Sequence, residues 1–467
     1  MDSPDNELRR GFGLSTTTYV VIASMVGTGV LTTSGYILKD TGSPTLMLGL
    51  WLLGGGLALC GALTVAELAG AMPEAGGEYV YIREAYGHLP AFLYGWVTFV
   101  IGFSAPTALT AHAAGRYLIE VYPPADPAAA ELVIRGLAVV MIVGFTIVHL
   151  RGQSISARVQ SATTLIKLVV LFALIVGAFV VGRGSALRFQ PDLPTEAWPW
   201  GTLGTSLVYV MFSYTGWNAA TYLAGEVRDP NRLLPWSLVL GCCGVIVLYL
   251  LLNLVYIYAL PADEIRQMPY DRVEAIAALA AQRLFGPWVA RPLSVAIGVG
   301  LLATVSAFVL TGPRVYYAMA RDGLFFAAVG RLHPRTGTPN AAIIAQAVCT
   351  LVLLVSGSFK NILTFAGVGL SISSFFVILS VYVLRWRKPD LPRPFRTPGY
   401  PIVPLVFLVC TGWMIIFAFL NDPRWPSVSL GVILLGIPLY YVWRAISPGR
   451  PAAGFPVITD ESTTDPD

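Results

Sequence analysis

LSTTTYVVIASMVGTGVLTTSGYIL, residues 14–38, is long enough to cross a bilayer, and Val26-Gly27-Thr28-Gly29-Val30 interrupts its middle. Two glycines around a small polar residue weaken a helix where lipid leaves no water to satisfy freed backbone groups. Such a break is tolerated at membrane depth only where protein or a water-filled cavity takes over those groups. Paired broken helices mark the substrate site of many secondary transporters.

The rest of the chain sets that stretch in a membrane protein. Of 467 residues, 55% are hydrophobic and 12% are charged, half the charge of an ordinary soluble domain. Apolar segments of spanning length recur at about 14–38, 44–71, 91–120, 131–149, 158–182, 201–224, 235–260, 288–320, 340–356, 360–384, 401–420 and 427–446. The expected fold class is therefore an all-α integral membrane protein with about 12 transmembrane helices. If they alternate, 18 of the 30 Lys and Arg fall on one side, Arg9, Arg10, Arg83, Arg385, Arg387 and Lys388 among them. The positive-inside rule then places both termini in the cytoplasm, and a plasma (inner) membrane is the expected location. Arg9-Arg10 reads as the cytoplasmic flank of the first segment, with no small-residue cleavage site after it.

Several function classes drop out. The five cysteines all lie within apolar segments, as small packing residues do. The four histidines show no ligand spacing. Neither a metal site nor a cofactor is expected, nor is an enzyme, and a net charge of +4 makes no case for nucleic acid. Residues 261–287 form the longest piece between segments, and its alanine-rich Asp271–Leu284 part is expected as a short helix lying at the surface. Trp198, Trp200 and Trp288 sit where interfacial aromatics belong. The 447–467 tail reads as disordered.

The break recurs. In segment 6, Phe212-Ser213-Tyr214-Thr215-Gly216-Trp217-Asn218 is polar and glycine-containing in mid-span. It lies five segments after the first, and five is odd, so the two halves would have opposite orientation in the membrane. The expected organisation is an inverted 5+5 helix repeat with broken helices 1 and 6. Residues 1–13 precede the first repeat (14–182), the second covers 201–384, and segments 11 and 12 (401–446) stand outside.

The chemistry of the breaks suggests a ligand. Free amides around Thr28, Gly29 and Val30, after Val26 and Gly27, suit a carboxylate, aided by the positive end of a half-helix. Thr28 can add a hydroxyl donor. Carbonyls freed near Ala23 and Met25, and near Phe212 and Ser213, suit an ammonium. A carboxylate cradle beside an ammonium cradle describes an α-amino acid or another zwitterion. No carboxylate lies in the middle of segments 1, 3, 6, 8 or 10, which favours a neutral substrate over a polyamine. Phe212 is placed to cover the bound side chain as a gate.

Lys167 is the third feature. It lies about 15 Å along segment 5, near the midplane. A charge there costs at least ~2.5 kcal/mol and needs a partner. With no acid at that depth, carbonyls freed by the first break are its natural acceptors, and its ammonium would fill a place where a sodium ion could sit.

These residues, in order, resemble the amino acid–polyamine–organocation (APC) transporters, and within them the L-type amino acid transporter-like branch. The resemblance runs through Met25–Val30, Ala66-Glu67-Leu68, Pro73-Glu74-Ala75-Gly76-Gly77-Glu78-Tyr79-Val80-Tyr81 and Glu84-Ala85-Tyr86-Gly87. It continues through Gln160, Thr164, Lys167, Phe212–Asn218, Gly225–Asn231, Ala320–Gly323 and Arg393-Pro394-Phe395. It implies the inverted-repeat fold shared with sodium-coupled neurotransmitter transporters, and alternating access. It also implies an aromatic gate at Phe212 and a coupling lysine at Lys167 that replaces a sodium site. Sodium-independent exchange of neutral L-amino acids is the expected function, with a proton-coupled symporter, an amine carrier and a non-transporting nutrient sensor as alternatives. Relatives that pair with a heavy-chain glycoprotein carry a cysteine between segments 3 and 4. Val121–Ala130 has none, so no disulfide-linked heavy chain is expected. Thr215 and Gly216 complete the predicted site, and Thr215, where some relatives have glycine, points to a smaller pocket.

Overall fold

In the computed structural model, residues 12–73, 77–122, 124–151, 156–190, 192, 198–321, 323, 325, 328–333 and 338–446 are described. The terminal stretches 1–11 and 447–467, with the expected disordered tail, lie outside them. All twelve apolar segments of the sequence fall on helices. They begin with α1 (Leu14–Met25), α2 (Gly29–Thr41), α3 (Pro44–Ala71), α4 (Glu78–Tyr86), α5 (His88–Val97) and α6 (Ala105–Ile119). α7 (Pro127–Leu150), α8 (Ser156–Val180), α9 (Trp200–Ser213) and α10 (Pro230–Ala259) follow. Three short helices, α11 (Ala262–Gln267), α12 (Tyr270–Val273) and α13 (Ile276–Phe285), precede α14 (Pro287–Arg321). α15 (Asn340–Ser356), α16 (Phe359–Arg387), α17 (Ile402–Asn421) and α18 (Arg424–Ile446) close the chain.

Among the described residues α3, α7, α10, α14, α16, α17, α18 and the continuous α5–α6 run are eight helical stretches long and apolar enough to cross a membrane, and α1 with α2, bent by 42°, makes a ninth. The protein is a multi-pass integral membrane protein. Its outer surface is correspondingly apolar: Leu132 and Val140 on α7, Phe172 on α8 and Val409 on α17 are exposed. In water such a patch would drive association; in lipid it is at home. α5 and α6 join through a wide π-helical turn, Thr98–Ser104, just before Pro106. Proline has no N–H to donate back into that turn, and within the turn Ser104 Oγ donates to Phe99 O at 2.8 Å.

The interior holds the broken helices. α10 packs on both α3 and α1, α9 packs on α2, α16 and α17, and α14 packs on α6 and α8. On the face carrying the N-terminus, Glu67 is buried and takes Arg385 at 2.7 Å, Arg393 at 3.3 Å and the Thr397 amide at 2.7 Å. This cluster ties α3 to α16 and the loop after it. Phe12 pairs with Val227 there as an isolated bridge.

The 261–287 stretch differs from its sequence expectation. α13 does not lie on the surface: Ile276, Ala277, Ala280, Ala281 and Leu284 are buried. Its alanines let it pack tightly against α14, α10 and α2. Gly35 on α2 meets Val273 so closely that an added Cβ would sit 2.9 Å from the Val273 carbonyl carbon.

Candidate substrate site

The first break is a hydrogen-bonding problem with a visible solution. The Val26 amide still donates to Ile22 O at 2.9 Å, but Gly27 N turns to Met25 O at 2.8 Å instead of Ala23 O. Helix resumes only at Gly29. The carbonyls of Met25 and Val26 thereby lose their ordinary helical partners, and each has found a side chain. Tyr249 Oη donates to Met25 O at 2.7 Å. Lys167 Nζ donates to Val26 O, with Thr304 Oγ1 3.3 Å away. Lys167 is fully enclosed among α8, α14 and the break. This is the placement expected of it: a mid-span ammonium on a carbonyl of the first break.

The amides at the start of α2 are treated differently. Thr28, Gly29 and Val30 donate to no backbone or side-chain acceptor among the described residues, whereas Leu31 N returns to Thr28 O at 3.1 Å. The first turn of any helix leaves such donors over, and here they lie inside the protein, where Thr28, Gly29 and Val30 are all buried. No side chain caps them.

The second break faces the first. α9 ends at Ser213, a turn follows, and the chain continues as a 3₁₀ helix over Ala219–Glu226. Gly216 adopts φ +98°, and a Cβ on it would lie 2.8 Å from Ser24 O. A Cβ on Gly29 would lie 2.5 Å from Ser213 Cα. Both glycines are therefore required by close approach of one break to the other, and Gly216 also by its backbone angle. Thr33 Oγ1 and Ser213 Oγ are 2.8 Å apart, joining α2 to α9 directly.

The predicted acceptors divide. Ser213 O points to the first break and lies 3.0 Å from Tyr249 Oη, so one hydroxyl bridges Met25 O and Ser213 O. Phe212 O faces its own turn, taking the Thr215 amide at 3.1 Å and Thr215 Oγ1 at 2.6 Å. The Phe212 side chain is buried beside Gly367 of α16. Ala23 lies half-buried on α1, one turn before the break. The side chains of Gln160 and Thr164 lie outside the described residues.

Sequence reasoning missed four residues that complete the arrangement: Tyr249, Asn253, Thr304 and Thr33. Asn253 is buried, takes Ser34 Oγ at 2.8 Å and gives Nδ2 to Tyr249 O at 2.7 Å. A signal existed. Tyr249 and Asn253 are polar residues one turn apart in an otherwise apolar segment, which is itself a reason to expect a function. Among the described residues no group of His, Cys, Asp or Glu is placed to hold a metal. The arrangement offers three buried amides and two partly engaged carbonyls at the two facing breaks, with no acid at either break.

Comparison with known sequences fits this geometry. The sequence model of the amino acid permease family matches residues 12–443. The chain belongs to the amino acid permease family. This permease is 29% identical to the human cystine/glutamate transporter over 94% of its own length and 86% of that protein. It is 28% identical to the mouse Asc-type amino acid transporter 1, covering 94% and 82% of the two chains. It is 26% identical to the human large neutral amino acids transporter small subunit 2, covering 93% and 80%. The permease and these relatives are transporters, not enzymes.

Proposed function

We propose that this permease carries neutral L-amino acids across the cell membrane by sodium-independent exchange, through twelve spans arranged as an inverted 5+5 repeat. One observation carries the reading: the three free amides of Thr28, Gly29 and Val30 face the second break, beside a lysine that holds the carbonyl of Val26. The amides receive the substrate carboxylate. The ammonium meets Met25 O and Ser213 O after displacing the Tyr249 hydroxyl, or shares them with it. The absence of an acidic side chain at Ala23–Val30 and Phe212–Gly216 supports a neutral side chain over a cationic one. Lys167 occupies the place a sodium ion would need, which supports sodium independence.

In this reading substrate draws the two breaks together, Phe212 covers the side chain, and the bundle rocks to expose the other face. The Arg-rich side, with both termini, is cytoplasmic in an inner membrane. No heavy chain is joined by a disulfide. Uptake of labelled alanine and leucine into proteoliposomes tests the proposal. Uptake that requires amino acid inside and ignores sodium and proton gradients supports it. Gradient-driven uptake into empty vesicles refutes exchange.

A further inference from the structure

One motif remains without a role. Glu78 opens α4, directly after Gly77, and it is buried. Tyr94 Oη of α5 donates to Oε2, and Oε1 has no hydrogen-bond partner among the described residues. No described cation bonds to it. The charged groups on its own helix are Arg83 and Glu84, which pair with each other at 3.1 Å. On α16, Lys388 takes Glu84 at 2.6 Å, Arg387 takes Ala85 O at 3.1 Å and Arg385 takes Glu67. From the second break come Tyr222, whose hydroxyl lies 3.4 Å from that of Tyr94, and Asn218, whose amide lies 3.4 Å from Tyr222 Oη. Beyond Tyr222 stands Tyr316 of α14, also buried.

The position explains why this matters. A Cβ on Gly77 would fall 3.1 Å from the Tyr222 ring, so the start of α4 is pressed against the 3₁₀ half of the second broken segment. An isolated buried carboxylate is expensive, and a carboxylic acid is far less so. Glu78 can stay enclosed cheaply only with a proton on it. If Ala219–Glu226 moved away from α4, water would reach the carboxyl and the charged form would become the cheaper one.

We propose that Glu78 is a proton-binding site that latches the 3₁₀ half of the second broken segment to α4, sensing pH on the N-terminal face only. The inference rests on the transport reading for its consequence, though not for the site itself. Burial pushes the Glu78 carboxyl up to about 7, against the pull of the Tyr94 hydroxyl and of the nearby Asn218 side-chain amide. For a raised carboxyl pKa, the contact is fully stable while the group is protonated. It weakens as pH rises through about 7, by up to about tenfold in the equilibrium per pH unit. Glu78 lies on the N-terminal side of both breaks, so in this proposal it exchanges protons with that side. It therefore gates without carrying a proton across.

The test uses the full-length permease in oriented proteoliposomes, with pH set separately on each face and labelled leucine exchange as the readout. In parallel, carboxyl titration by infrared difference spectroscopy follows Glu78 directly, without transport. The expected result is a several-fold change in exchange between about pH 6 and 8 on the N-terminal face alone. Glu78→Gln, which mimics the protonated form, should be flat at the wild-type low-pH level. Tyr94→Phe removes a donor to the charged form and should move the midpoint upward. The infrared band should titrate near neutrality in wild type and vanish in Glu78→Gln. A pH response that survives Glu78→Gln overturns the proposal. So does an equal response to pH on the opposite face, or leucine accumulation driven by a proton gradient and lost in Glu78→Gln. Failure of all exchange would refute the transport reading instead, while the infrared titration still decides Glu78.

Discussion

Replacing Lys167 by methionine separates its charge from its packing. The lysine stem lies against α14, where a Cβ on Gly300 would stand 3.2 Å from Lys167 Cβ, and methionine keeps most of that stem. What is lost is the ammonium on Val26 O and near Thr304 Oγ1. A hydrogen bond from a charged donor contributes about 1.5–3 kcal/mol. Burying that charge at mid-membrane costs at least about 2.5 kcal/mol on insertion scales. The two nearly cancel in the stability of the whole protein, so the melting temperature in detergent should change little. They do not cancel in the equilibrium between arrangements of the first break if, as the coupling role requires, this one alone holds the ammonium on Val26 O. A bias of about 2 kcal/mol is roughly 30-fold in that equilibrium. Exchange turnover in Lys167→Met should therefore fall by about tenfold or more, while leucine affinity, measured by scintillation proximity, changes far less. Wild-type turnover in this variant would refute a coupling role. An equal fall in affinity would assign the lysine to the substrate cradle.

Three further outcomes follow from the geometry. Gly29→Ala places a Cβ 2.5 Å from Ser213 Cα, so the breaks must part at a cost of about 1–3 kcal/mol, and leucine binding should weaken at least fivefold; unchanged affinity would place the cradle elsewhere. Tyr249→Phe strips the hydroxyl from Met25 O, which keeps the Gly27 amide, and from Ser213 O, which loses its partner. Since an unpaired buried acceptor costs about 1–3 kcal/mol, titration calorimetry should show altered substrate affinity without loss of folded protein. Glu67→Gln leaves the partly buried Arg385 and Arg393 without their carboxylate, and breaking such a pair costs about 3–5 kcal/mol. Thermal unfolding in detergent should shift down by several degrees, and an unshifted transition would show that the cluster adds nothing.

The sequence carried the helices and the breaks well because both have local causes. Runs of apolar residues mark helices one by one, and Gly27, Gly29 and Gly216 weaken them at defined points. Lys167 was equally legible, since a lone mid-span charge must find carbonyls and only a break frees them. The bridging role of Tyr249 was not legible, because it depends on α10 lying behind both breaks at once. The inward turn of Phe212 O depends on Thr215 closing its own turn, a matter of backbone angles. The alanines of 271–284 read as a surface helix because alanine is neutral in hydropathy. Their small size, and not their polarity, was the signal, and it shows only once α13 is packed against α14, α10 and α2.

Gly35 also sets how the molecule can move. With Val273 seated on it, α2 cannot slide or swing alone without driving a peptide carbonyl into its own backbone. The α2 half of the first broken helix and the α12–α13 segment must travel as one body. A binder that grips Tyr270–Phe285 from outside would thus act on a helix end buried beneath it. It could arrest the permease without touching the path the substrate takes, and no amino acid, however concentrated, would compete it away.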